Sequence, residues 1–150
     1  MDLDLIKAAV GRLSGHARET PLLNSPFLDE IAGRPIWVKA ECLQHTGSFK
    51  YRGAFAAISA LNEAQRRKGV LAFSSGNHAQ GVALAAKQHD TSALIIMPED
   101  APRIKINNTK ALGAEVQPPI DLLLRLLSVE QVCGGSDVAF DLGSEEHEAI

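Results

Sequence analysis

Strand-then-helix alternation places this chain in the α/β class, with a parallel sheet carrying helices on both faces. After Gly69, two short apolar runs, 70–73 and 93–97, are each followed by a helical pattern. The first helix is striped by Ala79, Val82, Ala83 and Ala86; the second is begun by Asp100 and Pro102 and stopped by Gly113. Continuously apolar strands are buried on both sides, and parallel strands need crossover helices between them. The third observation is composition: 150 residues, 45% hydrophobic and 22% charged, suffice for one real core.

In chain order, Leu5, Ile6, Ala9, Val10 and Leu13 form one helical stripe that Gly15 ends. Ser25-Pro26 supplies a cap and a first-turn proline for a short helix closing at Gly33. Ile36, Val38 and Ala40 alternate with Trp37, Lys39 and Glu41, the period of a half-buried strand over 35–41. From Ser48 the period becomes helical, with Ala54, Ala57, Ile58 and Leu61 on one stripe, running into the polar stretch 62–68. A last strand starts at Ala114, but Gln117-Pro118-Pro119 interrupts it, and Ile or Leu fills six of the eight positions 120–127. With 117–137 removed, 113–116 run on into 138–141 as one alternating strand, so those residues read as an insertion.

The net charge of -3, without a dense basic block, excludes nucleic-acid and anionic-lipid partners. The acidic start and the lack of an apolar run of roughly 20 residues predict no leader and no membrane span, hence a cytoplasmic protein. Cys42 and Cys133 lie far apart, so neither a disulfide framework nor a metal site is expected. His16, His45, His89 and His147 lack ligand spacing and read as surface or satisfied core residues.

Two motifs carry chemistry. In Ser48-Phe49-Lys50-Tyr51-Arg52-Gly53-Ala54, Lys50 and Arg52 fall in the first turn of a helix, where the macrodipole repels cations by about 0.3–1 kcal/mol each. That position favours the neutral, nucleophilic amine at Lys50. Gly53 is expected to let the backbone approach a neighbour closely. In Ser74-Ser75-Gly76-Asn77-His78-Ala79-Gln80-Gly81, unpaired backbone N–H groups and a helix dipole converge between strand and helix, where an anion fits. Each motif alone has a plain alternative: a solvated lysine, and a glycine turn with a Ser or Asn cap.

In combination, the motifs resemble the pyridoxal-phosphate (PLP) enzymes of the threonine dehydratase and serine racemase family, a fold-type II, tryptophan synthase beta-like architecture. The resemblance runs from Leu5 to Val116, takes in Val38-Lys39-Ala40-Glu41 and Met97-Pro98-Glu99-Asp100-Ala101-Pro102, and resumes over 138–150. Ser-Ser-Gly-Asn-His, rather than the Thr-Ser-Gly-Asn-Thr of related sulfhydrylases, favours the dehydratase branch.

The resemblance implies PLP bonded to Lys50 with Phe49 beside it. Asn77 would meet the ring hydroxyl, and Ser74, Ser75, Gly76, Asn77 and His78 would hold the substrate carboxylate. Lys50 and Ser75 would stand on opposite faces as proton carriers. The implied reaction is ammonia loss from threonine, serine or 3-hydroxyaspartate to give a 2-oxo acid. Racemisation or β-replacement are the alternatives, and a catalytically silent fragment is the alternative for the chain as it stands. The family's phosphate-binding loop and cation site lie farther along than Ile150. Residues 1–60 would therefore open a large domain, 69–150 would be an incomplete small domain, and the full-length parent would be a homodimer.

Overall fold

A computed structural model describes residues 2–119. The suspected insertion, apart from its first three residues, lies outside them, as do Cys133, His147 and the stretch 138–150. The elements are α1 (Leu3–Leu13), β1 (Leu22–Asn24), α2 (Pro26–Ala32), β2 (Trp37–Lys39), α3 (Lys50–Ala60), α4 (Glu63–Lys68), β3 (Val70–Phe73), α5 (Asn77–Gln88), β4 (Ala93–Ile96), α6 (Arg103–Ala111) and β5 (Glu115–Gln117). Two 3-10 turns, Glu41–Leu43 and His45–Gly47, lead from β2 into α3.

The predicted parallel sheet is present, in the order β3-β4-β5, with Val70 opposite Ala93 and Leu94 opposite Glu115. Its strands advance in one direction. Crossovers of the usual right hand then carry both intervening helices to the same face, and α5 and α6 indeed pack on each other there. Of the two covering layers expected, the described residues supply this one. On the opposite face of β3, Leu71 and Phe73 remain exposed. β5 takes in Gln117, the first residue of the suspected insertion, whose carbonyl accepts from Met97 N–H at 2.9 Å.

The core is one cluster. α3 contributes Tyr51, Ala54, Phe55 and Ile58; α5 contributes Ala79, Val82, Ala83 and Ala86; the sheet adds Ala93, Ile95 and Met97. The α5 stripe read from the sequence is therefore the buried one. On α3 the stripe shifts: Ala57 is exposed, and the aromatic pair Tyr51 and Phe55 occupies the buried face. The helix also stops at Ala60 rather than running on, because Asn62 and Gln65 form a reciprocal capping box that starts α4 afresh.

The N-terminal region departs further from expectation. α1 forms, but Leu5, Ile6 and Val10 are exposed; Leu13 packs on the core and Arg12 Nε donates to the Ala56 carbonyl at 3.1 Å. α2 begins at Pro26 and ends at Gly33 in the left-handed conformation, with no side-chain cap from Ser25. The predicted half-buried strand over 35–41 is shorter and exposed throughout. It pairs antiparallel with β1, an unforeseen strand, in a two-stranded ribbon separate from the parallel sheet. A ribbon of this size has no second layer among the described residues to bury its alternating side chains.

Candidate active site

The two motifs meet where α3 and α5 begin. A Cβ at Gly81 would lie 3.1 Å from both the Lys50 carbonyl carbon and the Tyr51 nitrogen, and 3.2 Å from the Lys50 oxygen. Only a residue without a side chain lets the helices touch backbone to backbone here. Gly81 stands four residues, or about 6 Å of helix rise, beyond Asn77, so the start of α5 comes within about a turn of Lys50. The close approach expected at Gly53 is absent: no described atom lies within 4 Å of a Cβ built there. The sequence signal that could have located the contact is a glycine inside the buried α5 stripe, flanked by Ala79, Ala83 and Ala85.

The segment entering Lys50 is held by polar groups. Gln44 is buried, accepts from the N–H groups of Arg18 and His45 at 3.0 Å each, and donates to the Arg18 carbonyl at 2.9 Å. Thr46 takes a left-handed backbone (φ 59°), a turn region usually left to glycine or asparagine. Ser48 is buried, and its Oγ accepts from Lys50 N–H at 3.4 Å, one residue before Phe49, the N-cap of α3.

Arg52 is matched rather than left against the dipole. Its Nε and Nη2 donate to the two Glu41 carboxylate oxygens at 2.8 Å each, and Nη2 also donates to the Arg18 carbonyl. Thr20 Oγ1 donates to Glu41 at 2.5 Å. The Arg52 hydrogen bond is the main cause holding the Glu41 carboxyl at a pKa of about 2, and the same bond raises Arg52. Thr20 thus belongs to the same hydrogen-bonded group as Glu41 and Arg52.

Lys50 is half-buried, with Nζ 5.5 Å from the centroid of the Phe49 ring, and Phe49 itself is 60% exposed. Phe49 is thus not a core residue of the described structure. On the facing loop, Ser75 and Asn77 are exposed while Ser74, Gly76 and His78 are half-buried. Ser74 Oγ accepts from Gly76 N–H at 3.3 Å. Gly76 precedes α5 as its N-cap and has no side chain to cap the first turn. Asn77 Oδ1 accepts from Lys105 Nζ at 3.0 Å, a contact the sequence did not suggest.

Three histidines gather around the buried aromatic pair. His16 stacks on Phe55 at 4.6 Å, His89 lies tilted against the same ring at 4.7 Å, and His45 meets Tyr51 edge-on at 4.8 Å. His89 departs from the satisfied-core expectation, because its buried Nε2 has no hydrogen-bond partner among the described residues. Burial, then the charges of Arg66 and His16, lowers its pKa. Cys42 is an exposed free thiol, and the described residues contain no cluster of three or more metal-binding side chains. A cleft of about 310 Å³ lined by Thr46, Gln80, Leu84, Asn108, Ala111 and Leu112 opens elsewhere, between the 3-10 turn, α5 and α6.

The backbone of Lys50 and the helix that opens with Asn77 thus share one junction. The donor set suits an aldehyde that carries an acidic ring hydroxyl together with a carboxylate-bearing substrate.

Residues 13–118 match the model of a family described as pyridoxal-phosphate dependent enzyme. The chain is 55% identical over 113 residues to the L-threo-3-hydroxyaspartate ammonia-lyase of a Pseudomonas species, covering 75% of this chain and 35% of that protein. It is 49% identical over 114 residues to the L-threonine ammonia-lyase of Thermotoga maritima, covering 76% and 28%. The serine racemase structure from Dictyostelium discoideum superposes with a TM-score of 0.79 at 36% identity, over 87% of this chain and 45% of that one. The chain spans about a third of the length of the curated relatives it matches.

Proposed function

The chain belongs to the pyridoxal-phosphate-dependent enzymes, and from that membership we propose that it carries the lysine-bearing part of an ammonia-lyase for hydroxy amino acids. Threonine, serine and 3-hydroxyaspartate are the candidate substrates, and a 2-oxo acid and ammonia the products. The observation that supports this most is the Gly81 contact, which brings the Lys50 backbone against α5 within about a turn of Asn77.

In this reading Lys50 Nζ would hold the aldehyde, with Phe49 lining its approach. Asn77 donates to the ring oxygen. Ser74, Ser75, Gly76, Asn77 and His78 hold the substrate carboxylate with backbone N–H and hydroxyl donors at the start of α5. PLP, when bound, supplies the electron sink for a carbanion at the substrate α-carbon. Lys50 Nζ would serve as the base for the α-proton of a substrate that loses its β-hydroxyl. In the racemase reading, favoured by the similarity to serine racemases, Ser75 Oγ returns a proton from the opposite face. Residues 1–60 then belong to a large domain and 69–150 to a small one, in a cytoplasmic homodimeric parent. Among the described residues no helix is long and apolar enough to cross a membrane.

Incubation with PLP, borohydride reduction and peptide mapping test the assignment. Label concentrated on Lys50 is expected; label spread evenly over the surface lysines means a catalytically silent chain. With a chain completed to the length of its relatives, 2-oxo acid release from the three substrates separates lyase from racemase, which interconverts serine enantiomers instead.

A further inference from the structure

We propose that Lys105 is a positioning residue for Asn77: it fixes which end of the Asn77 carboxamide faces a bound ring oxygen. An ammonium offers three donors and no acceptor, so only an amide oxygen can face it. The 3.0 Å contact from Lys105 Nζ therefore pins Asn77 Oδ1 toward α6. The amide N–H pair is left as the group offered to an incoming acceptor. With the amide reversed, two sets of donors would oppose each other. Lys105 is half-buried on α6, 28 residues beyond Asn77, so the contact also ties α6 to the start of α5. The charge polarises the amide and strengthens its N–H donors toward an acceptor such as a pyridine ring oxygen. This rests on the proposed role of Lys50 and Asn77 in holding the cofactor.

The test uses the 150-residue chain and two small aldehydes, 3-hydroxypyridine-4-carboxaldehyde and pyridine-4-carboxaldehyde, which differ only in the ring hydroxyl. Each condenses with an amine by losing water, and borohydride delivers hydride to the resulting carbon–nitrogen double bond, leaving a stable amine that mass spectrometry locates. Lys105→Met should lower trapping of the hydroxylated aldehyde at Lys50 by about 3- to 10-fold, the worth of one hydrogen bond, and leave the hydroxyl-free one unchanged. Lys105→Arg, which keeps the donor and the charge, should restore the preference. Lys105→Met should have no effect in an Asn77→Ala background.

Equal effects on both aldehydes, or principal labelling of Lys105 itself, overturn the proposal. Failure of the unsubstituted chain to label Lys50 overturns the functional reading instead. If Lys105→Met loses the helical circular dichroism of the parent, Lys105→Gln is scored on the same preference, since its amide can face Asn77 either way round.

Discussion

Glu41 and Arg52 form a two-point clamp that fastens the first turn of α3 to the segment after β2. Glu41 has a folded-state pKa of about 2 against an ordinary 4.5. The folded protein thus holds the carboxylate ionised where the unfolded chain takes up a proton. This stabilisation is complete above about pH 4.5 and is lost as pH falls toward 2. Glu41→Gln should cost about 1.5–3 kcal/mol at neutral pH and flatten the acid limb of stability, as read by urea denaturation at stepped pH. His89 acts in the same direction at higher pH. Its lowered pKa means that the unfolded chain binds a proton first, so stability declines as pH falls from the ordinary histidine range through the lowered value. His89→Phe should remove that step while keeping the contact with Phe55; an unchanged pH profile would count against the buried neutral imidazole.

At the scale of elements, the contact between α3 and α5 depends on one missing methyl group. Gly81→Ala places a Cβ 3.1 Å from backbone atoms of Lys50 and Tyr51, which cannot rotate away as a side chain could. A loss of about 1–3 kcal/mol is expected by denaturant titration, together with weaker borohydride trapping at Lys50. The repeating elements were legible in the sequence because their signals are local: β3, β4 and the α5 stripe each follow from the spacing of their own apolar residues. β1 was not, because Leu22-Leu23-Asn24 becomes a strand only by pairing with Trp37–Lys39. The β2 alternation was visible, but what lies against a face is not written in its period. Lys50 and the Ser74–Asn77 loop were legible as motifs. Gly81 and Lys105 were not, since a glycine in a helical stripe and a lysine on a polar helix look ordinary until a second helix is brought beside them.

Across the whole molecule, apolar surface is distributed unevenly. Phe27 and Ile31 on α2, Leu22 and Leu23 on β1, and Trp37 on β2 are all more than half exposed. Trp37 is the sole tryptophan, so the fluorescence of the chain reports on this region alone. Trp37 is 62% exposed, which predicts long-wavelength emission and ready quenching by acrylamide. Emission typical of a buried indole would contradict the exposed ribbon. The Gly81 contact has a bearing on how the molecule is made. It joins residues only 31 apart in sequence, and pairings of short separation need little loop closure, so they are reached early on the folding route. Lys50 would then be anchored at its helix junction before distant parts of the chain assemble around it, and amides of α3 and α5 should rank among the slowest to exchange with deuterium.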